Sequence, residues 1–223
     1  MDLVIRRYRP SDKDTVLSLF SITTLGLIQP CFNMAISSPL YITITLALCV
    51  AGYLLGSVLG AVVLPGAWVG LVYCCCYGIY SGYLRRTLKT DMQDIPGKFL
   101  SRPDDCYWVA EAEVEGLAKI VGMVAVVGKE NGNERYGELF RMSVSPTCRR
   151  MGIGARLTET VFDFCKERGF SAVMLSTSSP TQAAVALYKK LGFSMVPSHN
   201  NSSAFSWILR LARVTVFRMK KQL

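Results

Sequence analysis

The sequence has no charged residue and no histidine between Asp14 and Arg85. All of its charge lies in a short N-terminal piece and in the segment that begins at Arg85, so a charged surface distributed evenly along the chain is excluded. The net charge of +9 suits an anionic ligand, a nucleic acid or a membrane surface equally well. The length of 223 residues favours one ordinary domain with an apolar appendage.

Histidine is almost absent, and the cysteines are not arranged as metal ligands. The single histidine, His199, is too little for a histidine-rich metal site, and the eight cysteines form no CxxC pair. Four of the cysteines (Cys49, Cys74, Cys75 and Cys76) lie in long apolar runs within the uncharged stretch, which is atypical of a disulfide framework. The sequence therefore predicts no structural zinc, no other metal and a reduced compartment.

Two long apolar runs fill the uncharged stretch. Leu40–Leu64 and Ala67–Leu84 are each close to the roughly 20 residues that a helix needs to cross a bilayer, and Pro65-Gly66 between them predicts a turn. Basic residues precede and follow the runs, which favours a hairpin with both ends in the cytosol. A re-entrant hairpin and a soluble protein with a large core remain alternatives. The basic flanks consist of Arg6, Arg7, Arg9 and Lys13 before the runs and Arg85, Arg86 and Lys89 after them.

The rest of the chain reads as alternating strands and helices, which predicts an α/β domain with a partly parallel sheet. Helices are expected from a cap at Ser11 or Asp12 to about Phe20, over Ile153–Arg168 and over Ala183–Leu191. The last two strands are expected to pair across a turn at 199–203. The predicted strands are Val4–Arg7, Tyr107–Ala112, Ile120–Val127, Tyr136–Val144, Ala172–Ser176, Phe193–Val196 and Phe205–Phe217.

A loop of arginines and glycines precedes the predicted helix at Ile153. Arg149 and Arg150 offer donors for phosphate oxygens, and Gly152 and Gly154 let a ligand approach the backbone at a helix N-terminus. A tight turn with solvated arginines is the alternative. A dinucleotide loop is not matched, because Leu157 stands where a third glycine is needed, and the triphosphate motif GK[ST] is absent.

The spacing R-x-x-G-x-G resembles the acetyl-CoA motif of the GCN5-related N-acetyltransferase (GNAT) superfamily. The block from Ala184 to Phe193, A-x-x-L-Y-x-x-x-G-F, is similar to a second block of that superfamily, and "IRRYRPSDKDTVLSLF" is similar to its first strand and helix. The resemblance implies a GNAT α/β fold with an inserted transmembrane helical hairpin. Residues 1–20 and 90–223 then form the catalytic domain, and residues 21–89 form the insertion.

This split domain resembles the camello-type N-acetyltransferases of the endoplasmic reticulum, in the stretches "TDMQDI", "CYWVAE" and "ELFRMSVSPTCRRMGIG". The resemblance implies transfer of acetyl from acetyl-CoA to a primary amine by direct attack on the thioester, with a cysteine S-conjugate or related amino acid as acceptor. It also implies a lipid bilayer as partner and soluble parts that face the cytosol. Nucleic acid is not expected, because the basic residues cluster at the apolar flanks and at the glycine loop.

The resemblance also assigns roles to residues. Tyr188 is the expected general acid, although packing on a helix face explains it equally, and the base is expected to be Glu138 or Glu111, each of which is equally explained as a solvated carboxylate. Arg141 stands where relatives carry histidine, so it is expected to bind an acidic group of the acceptor. The expected acetyl-CoA contacts are the backbone of Met142 and Val144 and the loop residues Arg149, Arg150, Met151, Gly152, Ile153 and Gly154.

Two alternatives remain open from the sequence. Arg141 in place of histidine is compatible with a catalytically impaired protein that acts through partners. A protein-lysine acetyltransferase in the lumen would have the reversed topology, and Asn200 and Asn201 each begin a glycosylation acceptor that such a domain would expose to modification.

Overall fold

The computed structural model describes residues 3–55, 58–114, 116–132, 134–196 and 206–223. Two expectations lie outside these residues, namely the turn at 199–203 and the acceptor asparagines Asn200 and Asn201. The first residue of the expected strand Phe205–Phe217 also lies outside them.

A single seven-stranded sheet organises the described chain, in the order β1-β2-β3-β4-β5-β7-β6. The pair β4–β5 is parallel and the other neighbours are antiparallel, so the expected partly parallel sheet is confirmed. The strands are β1 Leu3–Arg7, β2 Cys106–Val114, β3 Leu117–Asn131, β4 Glu134–Val144, β5 Ala172–Ser178, β6 Ser194–Val196 and β7 Val216–Gln222.

Helices cover both faces of this sheet. One face packs on α6 and α7, and the other packs on α1, α5 and the C-terminal end of α4. The helices are α1 Lys13–Leu25, α2 Ile28–Ile36, α3 Pro39–Leu54, α4 Val58–Lys89, α5 Ile95–Phe99, α6 Ile153–Glu167, α7 Gln182–Lys190 and α8 Ser206–Leu211.

The apolar hairpin turns at a different place from the one expected. Pro65-Gly66 was predicted as the turn, and this prediction was wrong, because α4 continues through Pro65 while α3 ends at Leu54. Proline inside a helix costs roughly 3 kcal/mol. Pro65 is buried and α4 lies along α3, so helix packing offsets the local cost. The sequence rule considers only the local cost.

Another prediction that was wrong is the strand over Phe205–Phe217. Ser206–Leu211 forms α8, and β7 begins only at Val216. Ile208 and Leu211 pack against a buried cluster formed by α2, α3 and α4, and the Tyr41 hydroxyl donates a hydrogen bond to the carbonyl oxygen of Leu211 at 2.7 Å. Tertiary packing therefore decides the local structure here. The pairing of β6 with β7 is as expected.

Two glycines let α3 and α4 cross closely near the tip of the hairpin. A Cβ atom placed on Gly52 would lie 2.3 Å from the carbonyl carbon of Gly60. Backbone atoms cannot yield as a flexible side chain can, so any side chain at Gly52 must push the helices apart.

We expect Gly52→Ala to lower the free energy of unfolding by about 1–3 kcal/mol, because overpacking forces backbone shifts. Thermal unfolding in detergent measures the loss. Gly66→Ala is the matched control on α4, since a Cβ there meets open space and alanine favours a helix by up to about 1 kcal/mol. Equal unfolding temperatures for the two variants would contradict the close crossing.

Candidate active site

The candidate site lies where β4 and β5 separate. The two strands pair only over Tyr136–Leu139 and Ala172–Leu175. Beyond that point β4 remains paired with β3 as far as Val144, and β5 remains paired with β7. One backbone edge of residues 140–144 therefore faces a gap in the sheet instead of a neighbouring strand.

A bulge in β4 lies beside this gap. Met123 of β3 pairs with Ser143 and Ala125 pairs with Phe140, so two residues of β4 oppose one residue of β3. Arg141 has a φ of 53°, in the left-handed region that non-glycine residues seldom adopt. Such bulges redirect side chains and are frequent next to active sites. Here the bulge directs Arg141 and Met142 to opposite faces of the sheet.

The glycine loop joins β4 to α6 at the mouth of the gap. Gly152 is the N-terminal cap of α6 with a φ of 78°, and no side chain of the described residues caps the helix. The amide of Arg156 is bonded to the carbonyl of Gly152, whereas the N–H groups of residues 153–155 have no partner within the helix. Arg149 and Arg150 are exposed beside them. The loop thus presents amides and guanidinium groups suited to an anion.

The expected acetyl-CoA contacts occupy one continuous region. Gly154 lies against β4 and α7, since a Cβ built on it would be 3.1 Å from the Met142 Cε and 3.0 Å from Leu187 Cδ2. Met151 is exposed and Ile153 is buried under the loop. The backbone of Met142 and Val144 lines the gap itself. The structure brings all eight expected contacts together.

Tyr188 reaches the same place from α7. Its hydroxyl donates a hydrogen bond to the Met142 Sδ at 3.2 Å, and its ring packs edge-on against Phe193 at 5.5 Å between centroids. The side chain is buried, and burial raises the pKa of Tyr188 above its ordinary value. A hydroxyl that stays protonated next to the bulge can act as a proton donor.

Arg141 extends to the opposite face, towards α1 and α4. Its guanidinium lies near the rings of Phe20 and Tyr83, at 5.7 and 5.6 Å from their centroids. It donates hydrogen bonds to the Tyr83 hydroxyl and to the Asp91 carboxylate. Its Nε–H is buried and has no hydrogen-bond partner among the described residues. Most of the charge of Arg141 is therefore balanced within the chain.

Asp91 and Tyr83 were missed by the sequence reasoning. Burial pushes the pKa of Asp91 upwards, but hydrogen bonds from Arg141 and Thr90 outweigh burial and hold the pKa below its usual range. Asp91 lies in the quoted stretch "TDMQDI", which the resemblance singled out without a role. No local signal in the apolar run identifies Tyr83, because its partner is distant in the sequence.

The two candidate bases lie apart from Tyr188. Glu138 is buried and forms an ion pair with Lys129, on the face that Phe140 shares, whereas Tyr188 packs on the other face with Leu139. Glu111 accepts a hydrogen bond of 2.5 Å from Arg6, which also binds Asp12. Neither carboxylate is free of a cation, so each must exchange a partner before it takes a proton.

Comparison with known proteins places this site in a family. Residues 73–193 match the acetyltransferase (GNAT) family model. The chain is 35% identical over 197 residues to a probable N-acetyltransferase camello of Xenopus laevis, covering 85% of this chain and 84% of that one. Two solved structures share the fold over all of this chain. One is a GNAT-family acetyltransferase of Staphylococcus aureus, with a TM-score of 0.58 and 17% identity, of which 99% is covered. The other is the paia N-acetyltransferase of Thermoplasma acidophilum in complex with coenzyme A, with a TM-score of 0.51 and 15% identity, of which 100% is covered. The chain therefore belongs to the acetyltransferase (GNAT) family and, within it, to the camello-type N-acetyltransferases.

Proposed function

We propose that this chain transfers the acetyl group of acetyl-CoA to the primary amine of a small amino acid, most specifically a cysteine S-conjugate. The observation that carries this proposal is the continuous path from the uncapped start of α6, along the open edge of β4, to the hydroxyl of Tyr188. That path has an anion site at one end, backbone hydrogen-bonding groups along it and a proton donor at the other end.

Acetyl-CoA fits this path group by group. The amides of residues 150–154, with Arg149 and Arg150, bind the diphosphate. The backbone of Met142 and Val144 pairs with the pantetheine arm, as a neighbouring strand would. The thioester then lies at the bulge, where a backbone N–H stabilises the negative charge that develops on its oxygen.

The reaction forms one bond and breaks one. The amine nitrogen attacks the thioester carbonyl carbon, and collapse of the tetrahedral intermediate breaks the carbon–sulfur bond. Tyr188 gives its proton to the departing thiolate, and a carboxylate takes the proton that the nitrogen loses. Glu138 is the first candidate for this base and Glu111 is the second, in each case through water.

The choice of base is tested by two variants that keep the side-chain shape. We expect Glu138→Gln to lower kcat by about 10²-fold, in the range typical of general base catalysis. Glu111→Gln is the matched control and is expected to keep kcat within about twofold of wild type. A loss of about 10²-fold in Glu111→Gln alone would exchange the two roles.

Arg141 is proposed to bind the acceptor carboxylate through its Nε–H, which has no partner in the described part of the chain, while Asp91 and Tyr83 hold the guanidinium in place. We expect Arg141→Ala to raise the KM for S-benzylcysteine about tenfold, the effect of losing one hydrogen bond to a charged group. The KM for S-benzylcysteamine, which lacks the carboxylate, is expected to change little. An equal rise for both acceptors would assign Arg141 a purely structural role.

The acceptor class is tested by competition. Membranes that contain the chain receive acetyl-CoA with S-benzylcysteine, aspartate and a lysine peptide together, and the acetylated products are quantified. Preference for the cysteine conjugate supports the proposal, and preference for the peptide favours the protein-lysine alternative. Binding of acetyl-CoA without any product would favour the catalytically impaired alternative that Arg141 suggested.

The hairpin is proposed to enter the membrane of the endoplasmic reticulum from the cytosolic side. By length and apolar composition, α4 (Val58–Lys89) is long enough to cross a membrane, and so is the helical stretch Pro10–Ile36 that contains α1 and α2. However, α3 is about 24 Å long, and the part of α4 before Val72 is about 21 Å long, whereas the hydrocarbon core is about 30 Å thick. From Val72 onwards, one face of α4 is buried in the cluster that it forms with α2, α3 and α8. These lengths favour a re-entrant hairpin over two crossings.

Topology is tested with glycosylation reporters. A flexible insert that carries an acceptor asparagine between Leu55 and Val58 is expected to remain unmodified in a re-entrant hairpin, and so are the native Asn200 and Asn201 of a cytosolic domain. Modification of the insert alone would establish two crossings. Modification of the native asparagines would place the domain in the lumen.

A further inference from the structure

Two tyrosines of the apolar helix α4 bridge the gap between β4 and β5. The Tyr80 hydroxyl lies 3.4 Å from the Ser178 Oγ, at the end of β5. One turn further along, the Tyr83 hydroxyl accepts a hydrogen bond from Arg141 in the bulge of β4. Side chains three residues apart lie on the same face of a helix. α4 therefore runs across the gap and contacts the strand on each side of it.

This helix lies on the opposite side of the sheet from Tyr188. Tyr188 packs with Leu139 and Leu175 on the face covered by α6 and α7, whereas Tyr83 lies with Phe20 of α1 on the other face. Acetyl-CoA bound to the glycine loop reaches the gap from the α6 side. An acceptor must then approach the thioester from the side that α4 covers.

Resting on the function proposed above, we propose that Tyr80 and Tyr83 form one wall of the acceptor site and that the Tyr80 hydroxyl binds the acceptor amine. A phenol accepts a hydrogen bond from an amine as well as donating one. The contact of Tyr80 with Ser178 is long, at 3.4 Å between the two hydroxyl oxygens, and is therefore weak enough to be replaced by a substrate amine. Tyr83 is held by Arg141 and fixes the helix at this point.

The position of the wall also defines the class of acceptor. Tyr77 and Tyr73 precede Tyr80 on α4 and are exposed. They lie between Tyr80 and the apolar surface of the hairpin. An acceptor with its amine at Tyr80 would lay an apolar tail against these exposed rings. The acceptor class is therefore an amphipathic primary amine that reaches the site from the membrane surface, and polar amines such as aspartate are poorer acceptors.

Tyr80→Phe tests the wall, with Tyr41→Phe as the matched control. Both tyrosines are 5% exposed in the same buried cluster, but the Tyr41 hydroxyl bonds to α8 instead of facing the gap. We expect Tyr80→Phe to raise the KM for S-benzylcysteine about tenfold while kcat and the KM for acetyl-CoA change less than about twofold. Tyr41→Phe is expected to match its loss of thermal stability and to leave the acceptor KM unchanged.

A binding measurement separates this proposal from the function on which it rests. The Kd of S-benzylcysteine for the CoA-loaded protein is expected to rise about tenfold in Tyr80→Phe, whether or not turnover occurs. Three results would contradict the proposed role of Tyr80 in the acceptor site. They are an unchanged Kd in Tyr80→Phe, an equal rise of the Kd in Tyr41→Phe, and no binding of S-benzylcysteine to the wild type. Binding that depends on Tyr80 without any turnover would instead overturn only the proposed catalysis.

Discussion

Gly154→Glu is expected to abolish acetyl-CoA binding, with an increase in Kd of about 10³-fold or more. A side chain at this position starts 3.0 Å from Leu187 Cδ2 and 3.1 Å from the Met142 Cε, so it must be directed into the gap or towards the loop. Its carboxylate would then compete with the diphosphate for the amides at the start of α6, which attract negative charge. Titration calorimetry with coenzyme A measures the loss directly.

Two companion variants separate bulk from charge at Gly154. Gly154→Ala meets only the ends of flexible side chains, which can yield by a few tenths of an ångström, and we expect its affinity to fall less than about tenfold. Gly154→Gln matches glutamate in size without its charge and is expected to lie between the two. Retained affinity in Gly154→Glu would show that the diphosphate binds elsewhere.

Tyr188→Phe is expected to lower kcat by about 10²–10⁴-fold, the range typical of a lost general acid. Phenylalanine keeps the ring against Phe193 and close to Met142, so the fold and the affinity for acetyl-CoA are expected to persist. The loss therefore falls on the chemical step, and single-turnover release of coenzyme A measures it.

The pH dependence gives a second measurement of the role of Tyr188. Burial raises the pKa of Tyr188, so the proton-donating form persists at least up to the ordinary tyrosine pKa of about 10. If the wild-type rate falls as the pH rises towards about 10, ionisation of Tyr188 is not the cause. The same fall is then expected in Tyr188→Phe. A kcat within about twofold of wild type in this variant would reduce Tyr188 to a packing residue.

The sequence predicts those parts of the molecule that depend on local spacing. The loop from Arg149 to Gly154 folds as expected because glycine at a helix cap is a local requirement, and Gly152 adopts the positive φ that such a cap permits. Tyr188 reaches the gap because the strand and helix order places α7 beside β5. The observed strand boundaries differ from the predicted ones mainly because β2 and β3 continue into a longer hairpin.

Features that depend on partners distant in the sequence could not be predicted from it. The helix through Pro65 and the helix at Ser206–Leu211 form because other helices pack on them, which no local propensity reports. The Arg141–Asp91 pair joins residues 50 positions apart, and Tyr80 meets Ser178 across 98 positions. The sequence predicts only an acidic acceptor group as the partner of Arg141, and the folded chain reveals Asp91 and Tyr83 as its internal partners.

The central claim is that the chain transfers acetyl to a small amine at the gap between β4 and β5. Membranes that contain the wild-type chain would receive acetyl-CoA labelled in the acetyl group, with S-benzylcysteine as acceptor and Tyr188→Phe as control. We predict labelled N-acetyl product in equal amount to the coenzyme A released, with at least about 10²-fold less in the control. Coenzyme A binding to the wild type without labelled product from S-benzylcysteine, aspartate or a lysine peptide would contradict the claim.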